Sequence, residues 1–238
     1  MSFHDELIAA TAVERAALNN VPIIRACLAG QVARTSYVAF LVQGWHHVRH
    51  TVPLMRACQA ALPDRLTWLR HALDEYAVEE QGHDAWILAD LAACGVDPSE
   101  SAARDPAFET EMMIAYAYDT IARRNPVGFF GMVHVLEGTS VALALSAADQ
   151  IQRALAMPPT AFTYLRSHGM LDREHIHHFA ALMDRLADPA DQAEVVHAAK
   201  RFYRLYADIF RALPPAEPPT QSAAEGCEAA EAMRERTL

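Results

Sequence analysis

Apolar residues recur at helical spacing along almost the whole chain, and no stretch alternates apolar and polar residues convincingly. Recurrence at three and four residues is typical of amphipathic helices, whereas strict alternation is typical of β-strands. Alanine, which loses no side-chain entropy in a helix, accounts for 46 residues, and glycine accounts for only 9. The pattern therefore predicts an all-α fold without a β-sheet.

Prolines and glycines divide this pattern into segments, because proline favours helix starts and glycine favours helix ends. We expect seven to nine helices packed into a single compact bundle. Pro53 is expected to kink or break one of them, and Gly169 is expected to separate two others. The predicted segments are 4–18, 22–29, 33–61, 64–94, 105–124, 125–157, 160–168, 171–186 and 188–213.

One domain is predicted over residues 1–213. Residues 214–238 differ in composition, because four closely spaced prolines precede a segment of alanine, glutamate and arginine. We expect this region to form a mobile tail.

The chain carries 20 basic and 30 acidic residues, which gives a net charge of −10. This charge argues against nucleic acids and anionic membranes as partners, so a small molecule is the expected partner. No apolar run approaches the roughly 20 residues that span a bilayer, and the N-terminus lacks the features of a signal peptide. The four cysteines are far apart and form no CxxC pair. We expect a cytoplasmic protein with reduced thiols, and a homodimer is the expected assembly.

Three polar residues, His168, Asp172 and His175, fall on one stripe of a predicted helix. Their spacings of four and three place the side chains within about 60° of one another. Two imidazoles that flank a carboxylate form a mixed nitrogen and oxygen face suited to iron, manganese or zinc. The triplet also fits a solvated polar stripe with an internal ion pair. His177 and His178 follow the triplet but lie off its stripe.

A second candidate is the pair Glu80 and His83, which forms an E-x-x-H motif. On one regular helix this spacing directs both groups at one metal ion. Glu79 lies four residues before His83 and competes for the same role. Such motifs are common in helical proteins, so the pair indicates a metal only in combination with other residues.

Glu137 lies in the most apolar predicted helix and is the only carboxylate between Asn125 and Ala148. Burial of an unpaired carboxylate costs several kcal/mol, so Glu137 needs a partner. That partner is either a metal ion or a tyrosine or arginine that binds a structural glutamate.

These candidates together supply three carboxylates and three imidazoles from three predicted helices. Two ferrous ions carry a charge of +4, which three carboxylates reduce to +1. Six protein ligands on two ions leave coordination positions for O2 and substrate, as oxygen activation requires. The combination predicts a site for two non-heme iron ions, with manganese as an alternative metal. Its ligands are Glu80, His83, Glu137, His168, Asp172 and His175.

On these motifs the sequence resembles the heme-oxygenase-like di-iron oxidases and oxygenases, also described as iron-containing redox enzymes, over roughly residues 5–212. Relatives of that family include the thiaminase II (TenA) and pyrroloquinoline-quinone synthase (PqqC) proteins. Its irons are held by an acid and a histidine on one helix, a glutamate on a later helix, and an H-x3-D-x2-H triplet. The six residues above match these positions. The resemblance implies an oxidoreductase that activates O2 to oxidise a small organic substrate.

Tyr76 stands where some family members carry their first acidic ligand, seven residues before the histidine. Only the shorter spacing of Glu80 and His83 therefore fits, as in the members that convert fatty acids to terminal alkenes. On a regular helix Tyr76 would place a redox-active ring one turn from the metals. The resemblance implies a catalytic role for Tyr76, because some members are thought to consume a tyrosine of their own.

The substrate pocket is expected to be apolar, and its candidate lining residues are Met112, Phe129, Phe130 and Met132. This favours an amphiphilic or carboxylate-bearing substrate, whose carboxylate would meet either Arg49 or Arg123. Three further histidines fall within one turn. A fourth iron ligand or a pocket base is one interpretation of them, and a polar face with one hydrogen-bonded core histidine is the favoured one. They are His46, His47 and His50.

Other helical enzymes fit the sequence less well. A ferritin-like bundle needs two E-x-x-H motifs and two further glutamates, but no glutamate lies between Glu14 and Glu75. A heme oxygenase needs an N-terminal axial histidine, for which only His4 is available. A TenA-like thiaminase needs a cysteine beside a carboxylate, and no cysteine is close in sequence to Glu137 or Asp172. A metal-free PqqC-like oxidase and a ligand-binding protein remain alternatives.

Overall fold

The computed structural model describes residues 1–215, and within that range it contains twelve α-helices, three short 3₁₀ turns and no β-strand. The all-α bundle predicted from the sequence is confirmed. The helices are α1 (Phe3–Ala10), α2 (Ala12–Asn19), α3 (Pro22–Leu28), α4 (Arg34–Val48), α5 (Thr51–Ala61), α6 (Thr67–Glu79), α7 (His83–Ala93), α8 (Pro98–Ala102), α9 (Phe108–Arg123), α10 (Phe129–Leu155), α11 (Thr163–Arg185) and α12 (Pro189–Ala212).

Three predicted helices are divided by short breaks, which is the main reason why the described residues form twelve helices where seven to nine were expected. The segment 4–18 breaks at Thr11, whose hydroxyl donates a hydrogen bond to the Leu7 carbonyl at 2.7 Å. The segment 33–61 breaks at Arg49 and His50, which precede Pro53 in the sequence. Pro53 therefore lies in the first turn of α5, where a helix does not use the N–H group that proline lacks.

The predicted segment 64–94 is divided between α6 and α7. Gly82 adopts a left-handed conformation with φ of +89°, which favours glycine because a Cβ would be strained there. Glu80 is consequently the C-cap that follows the last residue of α6, and His83 is the first residue of α7. The expectation that both residues lie on one regular helix is wrong.

Helix α11 runs without interruption through Gly169, so the predicted break at this glycine is also wrong. Gly169 is buried where α11 packs against α10. A Cβ at this position would lie 2.7 Å from Cγ of Leu145 and 3.3 Å from its backbone nitrogen. Gly169 therefore permits a close approach of two helices.

We expect a Gly169→Ala variant to lose about 1–3 kcal/mol of unfolding free energy, because the added methyl group overpacks the contact with Leu145. Gly138→Ala is the matched control, since nothing lies within 4 Å of its Cβ position in α10. Alanine should leave that helix unchanged or stabilise it by up to about 1 kcal/mol. Urea unfolding measures both effects. Equal stability of the two variants would contradict the assigned role of Gly169.

Helix α10 is the central helix of the bundle and packs against α11, α12, α3 and α9. Together with its preceding turn, the segment Pro126–Leu155 is long and apolar enough to cross a membrane, contrary to the expectation from the sequence. Most of its apolar residues are buried by neighbouring helices, so its composition is that of a core helix.

The buried apolar residues form two clusters. One surrounds Phe130 and Phe202, and the other surrounds Tyr37 and Phe162. An internal cavity is lined by residues of both clusters, such as Leu54 from the first and Tyr37 from the second. The predicted domain boundary at 213 stays a prediction, and the predicted tail lies, from residue 216 onward, outside the described residues.

Candidate metal centre

The polar stripe of α11 lies inside the bundle. Asp172 is buried, and the side chains of His168 and His175 are only 14% and 12% exposed. His168 Nδ1 donates a hydrogen bond to the Tyr164 carbonyl at 3.1 Å, because a carbonyl oxygen can only accept. This bond leaves His168 Nε2 without a proton in the neutral ring and directs it toward Glu80.

A first group of potential ligands consists of Glu80, His83 and His168, whose ligand atoms all lie within 4.8 Å of one another. Glu80 Oε2 lies 3.0 Å from His83 Nδ1 and 3.9 Å from His168 Nε2. The indole of Trp86 stacks on the His83 ring at a centroid distance of 3.9 Å. The Tyr164 carbonyl thus orients the imidazole of His168, and the Trp86 indole packs on that of His83, beside the Glu80 carboxylate.

A second group consists of Glu137, Asp172 and His175. His175 Nδ1 lies 3.4 Å from Asp172 Oδ1 and 4.0 Å from Glu137 Oε1. Neither Glu137 Oε2 nor His175 Nδ1 has a hydrogen-bond partner among the described residues, although both atoms are buried. Buried polar atoms without a partner are rare, and a cation between these groups would satisfy them.

The two glutamates differ in their electrostatics. Burial and the nearby carboxylates of Asp172, Glu80 and Glu79 raise the pKa of Glu137 well above its usual value. Burial also opposes ionisation of Glu80, but contacts with His168 and His83 outweigh it and lower the pKa to about 2. A divalent cation would favour ionisation of all three carboxylates, so the donor set fits a metal.

All six residues predicted as ligands therefore converge on one region, and they come from α7, α10, α11 and the end of α6. Their grouping differs from the order of the motifs, because His168 faces Glu80 and His83 while Asp172 and His175 face Glu137. Their role as metal ligands stays a prediction.

Tyr76 lies beside the second group. Its ring centroid is 5.7 Å from that of His175, and its buried hydroxyl has no hydrogen-bond partner among the described residues. Burial and the charge of Glu137 raise its pKa, so the phenol keeps its proton. Tyr76 lies one helical turn before Glu80, as expected, and its catalytic role stays a prediction.

A cavity of about 180 Å³ reaches the carboxylates of Glu80, Glu137 and Asp172 from one side. One water molecule needs roughly 10–15 Å³ of such a cavity. The space is therefore large enough for an organic molecule. Its walls are mostly apolar, and no lysine or arginine within residues 1–215 lines it. Neither Arg49 nor Arg123 is therefore in position to meet a substrate carboxylate.

The outcome for the other residues expected near the substrate is mixed. Phe129 and Met132 line the cavity, whereas Phe130 and Met112 do not. Sequence patterns did not identify Tyr164 and Tyr206 as lining residues, because their positions depend on how α11 and α12 pack.

The three histidines at the end of α4 have different surroundings. His50 Nδ1 is hydrogen-bonded to the Tyr118 hydroxyl at 3.1 Å, and His50 is half-buried. The favoured interpretation of a polar face with one hydrogen-bonded core histidine stays a prediction. His46 and His47 are buried, and each has one ring nitrogen without a partner among the described residues. His47 lines the cavity, and burial lowers its pKa to about 3. It therefore offers an uncharged hydrogen-bonding group to a substrate.

A sequence profile of iron-containing redox enzymes matches residues 38–207, a range that includes all six candidate ligands. No curated protein matches the sequence significantly.

Solved structures with the same fold include proteins of different activity. A domain of unknown function with a heme oxygenase-like fold from Shewanella denitrificans OS217 is 22% identical, with a TM-score of 0.79 and coverage of 88% of this chain and 90% of that one. A TenA homolog from Pseudomonas syringae pv. tomato is 15% identical, with a TM-score of 0.73 over 87% and 90% of the two chains. Heme oxygenase from Leptospira interrogans is 16% identical, with a TM-score of 0.73 over 90% and 100%. These likenesses confirm the heme oxygenase-like fold.

Proposed function

The chain belongs to the family of iron-containing redox enzymes, and from this premise we propose that it is a non-heme di-iron oxidase or oxygenase. In this proposal it uses O2 to oxidise a small amphiphilic or carboxylate-bearing organic molecule. Its ligands are the six residues of the two groups, with iron as the metal and manganese as an alternative.

The observation that carries the proposal is the buried Glu137 Oε2, which has no hydrogen-bond partner among the described residues, beside a compact group of Glu80, His83 and His168. Two ferrous ions at these groups would supply electrons for O2 activation. Glu80, Glu137 and Asp172 would balance most of their charge, and the nitrogen donors would leave positions on each ion for other ligands.

The lining of the cavity constrains how a substrate would bind. An alkyl or aryl portion would contact apolar side chains such as Phe129, Met132 and Leu54. Because none of the arginines and lysines that the structure describes lines the cavity, a bound metal at the ligand end would supply the positive charge that compensates a substrate carboxylate. The substrate would therefore bind with its polar group toward Glu80 and Glu137.

We propose Tyr76 as a catalytic residue because its protonated hydroxyl lies next to the second group and is not engaged elsewhere. There it would hold a proton, and a redox-active phenol, close to His175. Its burial shields it from competing reactions with solvent.

Anaerobic loading with ferrous iron followed by addition of O2 tests the proposal. We expect about two irons per chain and rapid consumption of O2 in an oxygen electrode, and we expect a Tyr76→Phe variant to keep the iron but consume O2 more slowly. Tyr116→Phe is the matched control, since Tyr116 also has a partnerless hydroxyl but lines neither the cavity nor the metal groups. A protein that binds iron without consuming O2, or that needs heme for activity, would overturn the proposal.

A TenA-like hydrolase is the second candidate, because Cys27 lines the same cavity as Glu137 and Asp172. Burial raises the pKa of the Cys27 thiol to about 11, so the reactive thiolate would be scarce at neutral pH. This candidate predicts metal-independent thiamine cleavage that a Cys27→Ala variant lacks. A heme oxygenase fits less well, because His4 packs against His134 and Phe179 and does not line the cavity.

A further inference from the structure

The candidate metal centre is bordered by a second cavity, which is lined by a different set of residues. We call it the acidic vestibule and define it by its lining residues, which are Glu75, Tyr76, Glu79, His83, Leu171, Glu174, His175 and His178. It shares no lining residue with the apolar cavity. The candidate ligands thus form a wall between two spaces, with Glu80, Glu137, His168 and Asp172 facing one and His83 and His175 facing the other.

The two spaces differ in chemistry. Three carboxylates line the vestibule, and all of them, Glu75, Glu79 and Glu174, are exposed to solvent. In the described part of the chain, no lysine or arginine lines it. A concave acidic surface that is open to solvent concentrates cations. The three carboxylates that line the apolar cavity, Glu80, Glu137 and Asp172, are buried or half-buried, so the exposed acidic surface is that of the vestibule.

Contacts at the floor of the vestibule point to a cation rather than to a merely solvated acidic surface. Glu79 is 56% exposed, yet its Oε2 lies 3.2 Å from His175 Nε2. Tyr76, which is only 3% exposed, has a hydroxyl without a partner among the described residues. The exposed Glu79 carboxylate thus contacts the candidate ligand His175 directly. The Tyr76 hydroxyl, which belongs to another residue lining the vestibule, has no hydrogen-bond partner among the described residues.

We propose that the acidic vestibule is the entrance for divalent metal ions and that Glu79 is the carboxylate that transfers an ion from solvent to His175. The inference rests on the proposed metal centre. Glu79 would hold an arriving ion outside the wall of ligands, and Glu137 and Asp172 would take over as the oxygen ligands beside His175. Because the two cavities share no lining residue, the path of the metal stays separate from the path of the substrate.

Metal uptake by the full chain tests this proposal without any measurement of turnover. Metal-free protein is mixed with Co²⁺ in a stopped-flow instrument, and the visible absorption of the bound ion is followed. We expect Glu79→Gln to slow uptake about tenfold while the amount of Co²⁺ bound at saturation stays that of the unaltered protein. Glu111→Gln, which removes the same charge from an exposed position that lines neither cavity, should have no effect.

Salt provides a second readout, because attraction by exposed carboxylates is screened. Uptake by the unaltered protein should slow as ionic strength rises, and this dependence should be weaker in a Glu79→Gln, Glu174→Gln double variant. Equal uptake rates in the Glu79→Gln variant and the unaltered protein would overturn the vestibule alone. A lower stoichiometry in that variant would make Glu79 a resident ligand and overturn its transfer role, whereas failure of the unaltered chain to bind Co²⁺ would overturn the metal centre itself.

Discussion

A His83→Ala variant is expected to bind at most one iron per chain and to lose at least about a hundredfold in the rate of O2 consumption. Glu80, His83 and His168 surround one position, so removal of one imidazole leaves a carboxylate and a single nitrogen there. Loss of even an outer partner of a metal ligand commonly costs 10–100-fold in affinity or activity, and loss of a ligand should cost more. His175→Ala should likewise remove one iron, but from the second group.

The matched control for both variants is His177→Ala. His177 lies on α11 with His168 and His175, but it is exposed and lines neither cavity. Iron per chain, measured by a colorimetric assay after gel filtration, should stay at about two in this control. Retention of two irons by the His83→Ala variant would refute the assignment of the first group.

Replacing Glu137 by glutamine is expected to make the metal-free protein more stable while removing metal from the second group. The pKa of Glu137 is raised above 4.5 in the folded protein, so the folded state holds a proton that the unfolded chain releases above that pH. The stabilising contribution of this proton is therefore full at low pH and is lost as pH rises toward the folded pKa. Glutamine does not titrate and avoids this loss.

Thermal unfolding of metal-free protein at several pH values measures the effect. The two proteins should be similar near pH 4.5, and at pH 7 Glu137→Gln should melt at least about 2–4 °C higher, which corresponds to roughly 1 kcal/mol for a chain of this size. Added Mn²⁺ should reverse the order, because an ion that binds only the folded state stabilises it. A variant that is less stable than the unaltered metal-free protein at pH 7 would show that Glu137 has a structural partner.

The convergence of the six candidate ligands could be predicted from the sequence because their signals are local. Periodicity along α11 placed His168, Asp172 and His175 on one stripe, and the apolar surroundings of Glu137 marked it as a buried carboxylate in need of a partner. These inferences depend only on the geometry of single helices and the cost of burying charge.

The features that the sequence did not reveal depend on contacts between helices. Gly82 could have been tolerated within a helix, and only the observed φ shows that it ends one. Gly169 was expected to weaken a helix, but its role is set by Leu145 on the neighbouring helix. The division of ligands into two groups and the place of Glu79 outside them likewise follow from packing, which no spacing along one helix encodes.

The stacking of Trp86 on His83 gives the protein an intrinsic optical probe. Trp86 also packs edge-on against His168 at a centroid distance of 5.7 Å, whereas the other two tryptophans, Trp45 and Trp68, lie under the guanidinium groups of Arg49 and Arg185. An ion bound at His83 would therefore quench the fluorescence of Trp86 and leave the emission of the other two as a constant background. Occupancy of the first group can thus be followed in the unlabelled chain during a metal titration. A comparison of the Trp86 fluorescence with the total amount of bound metal then shows which of the two positions fills first.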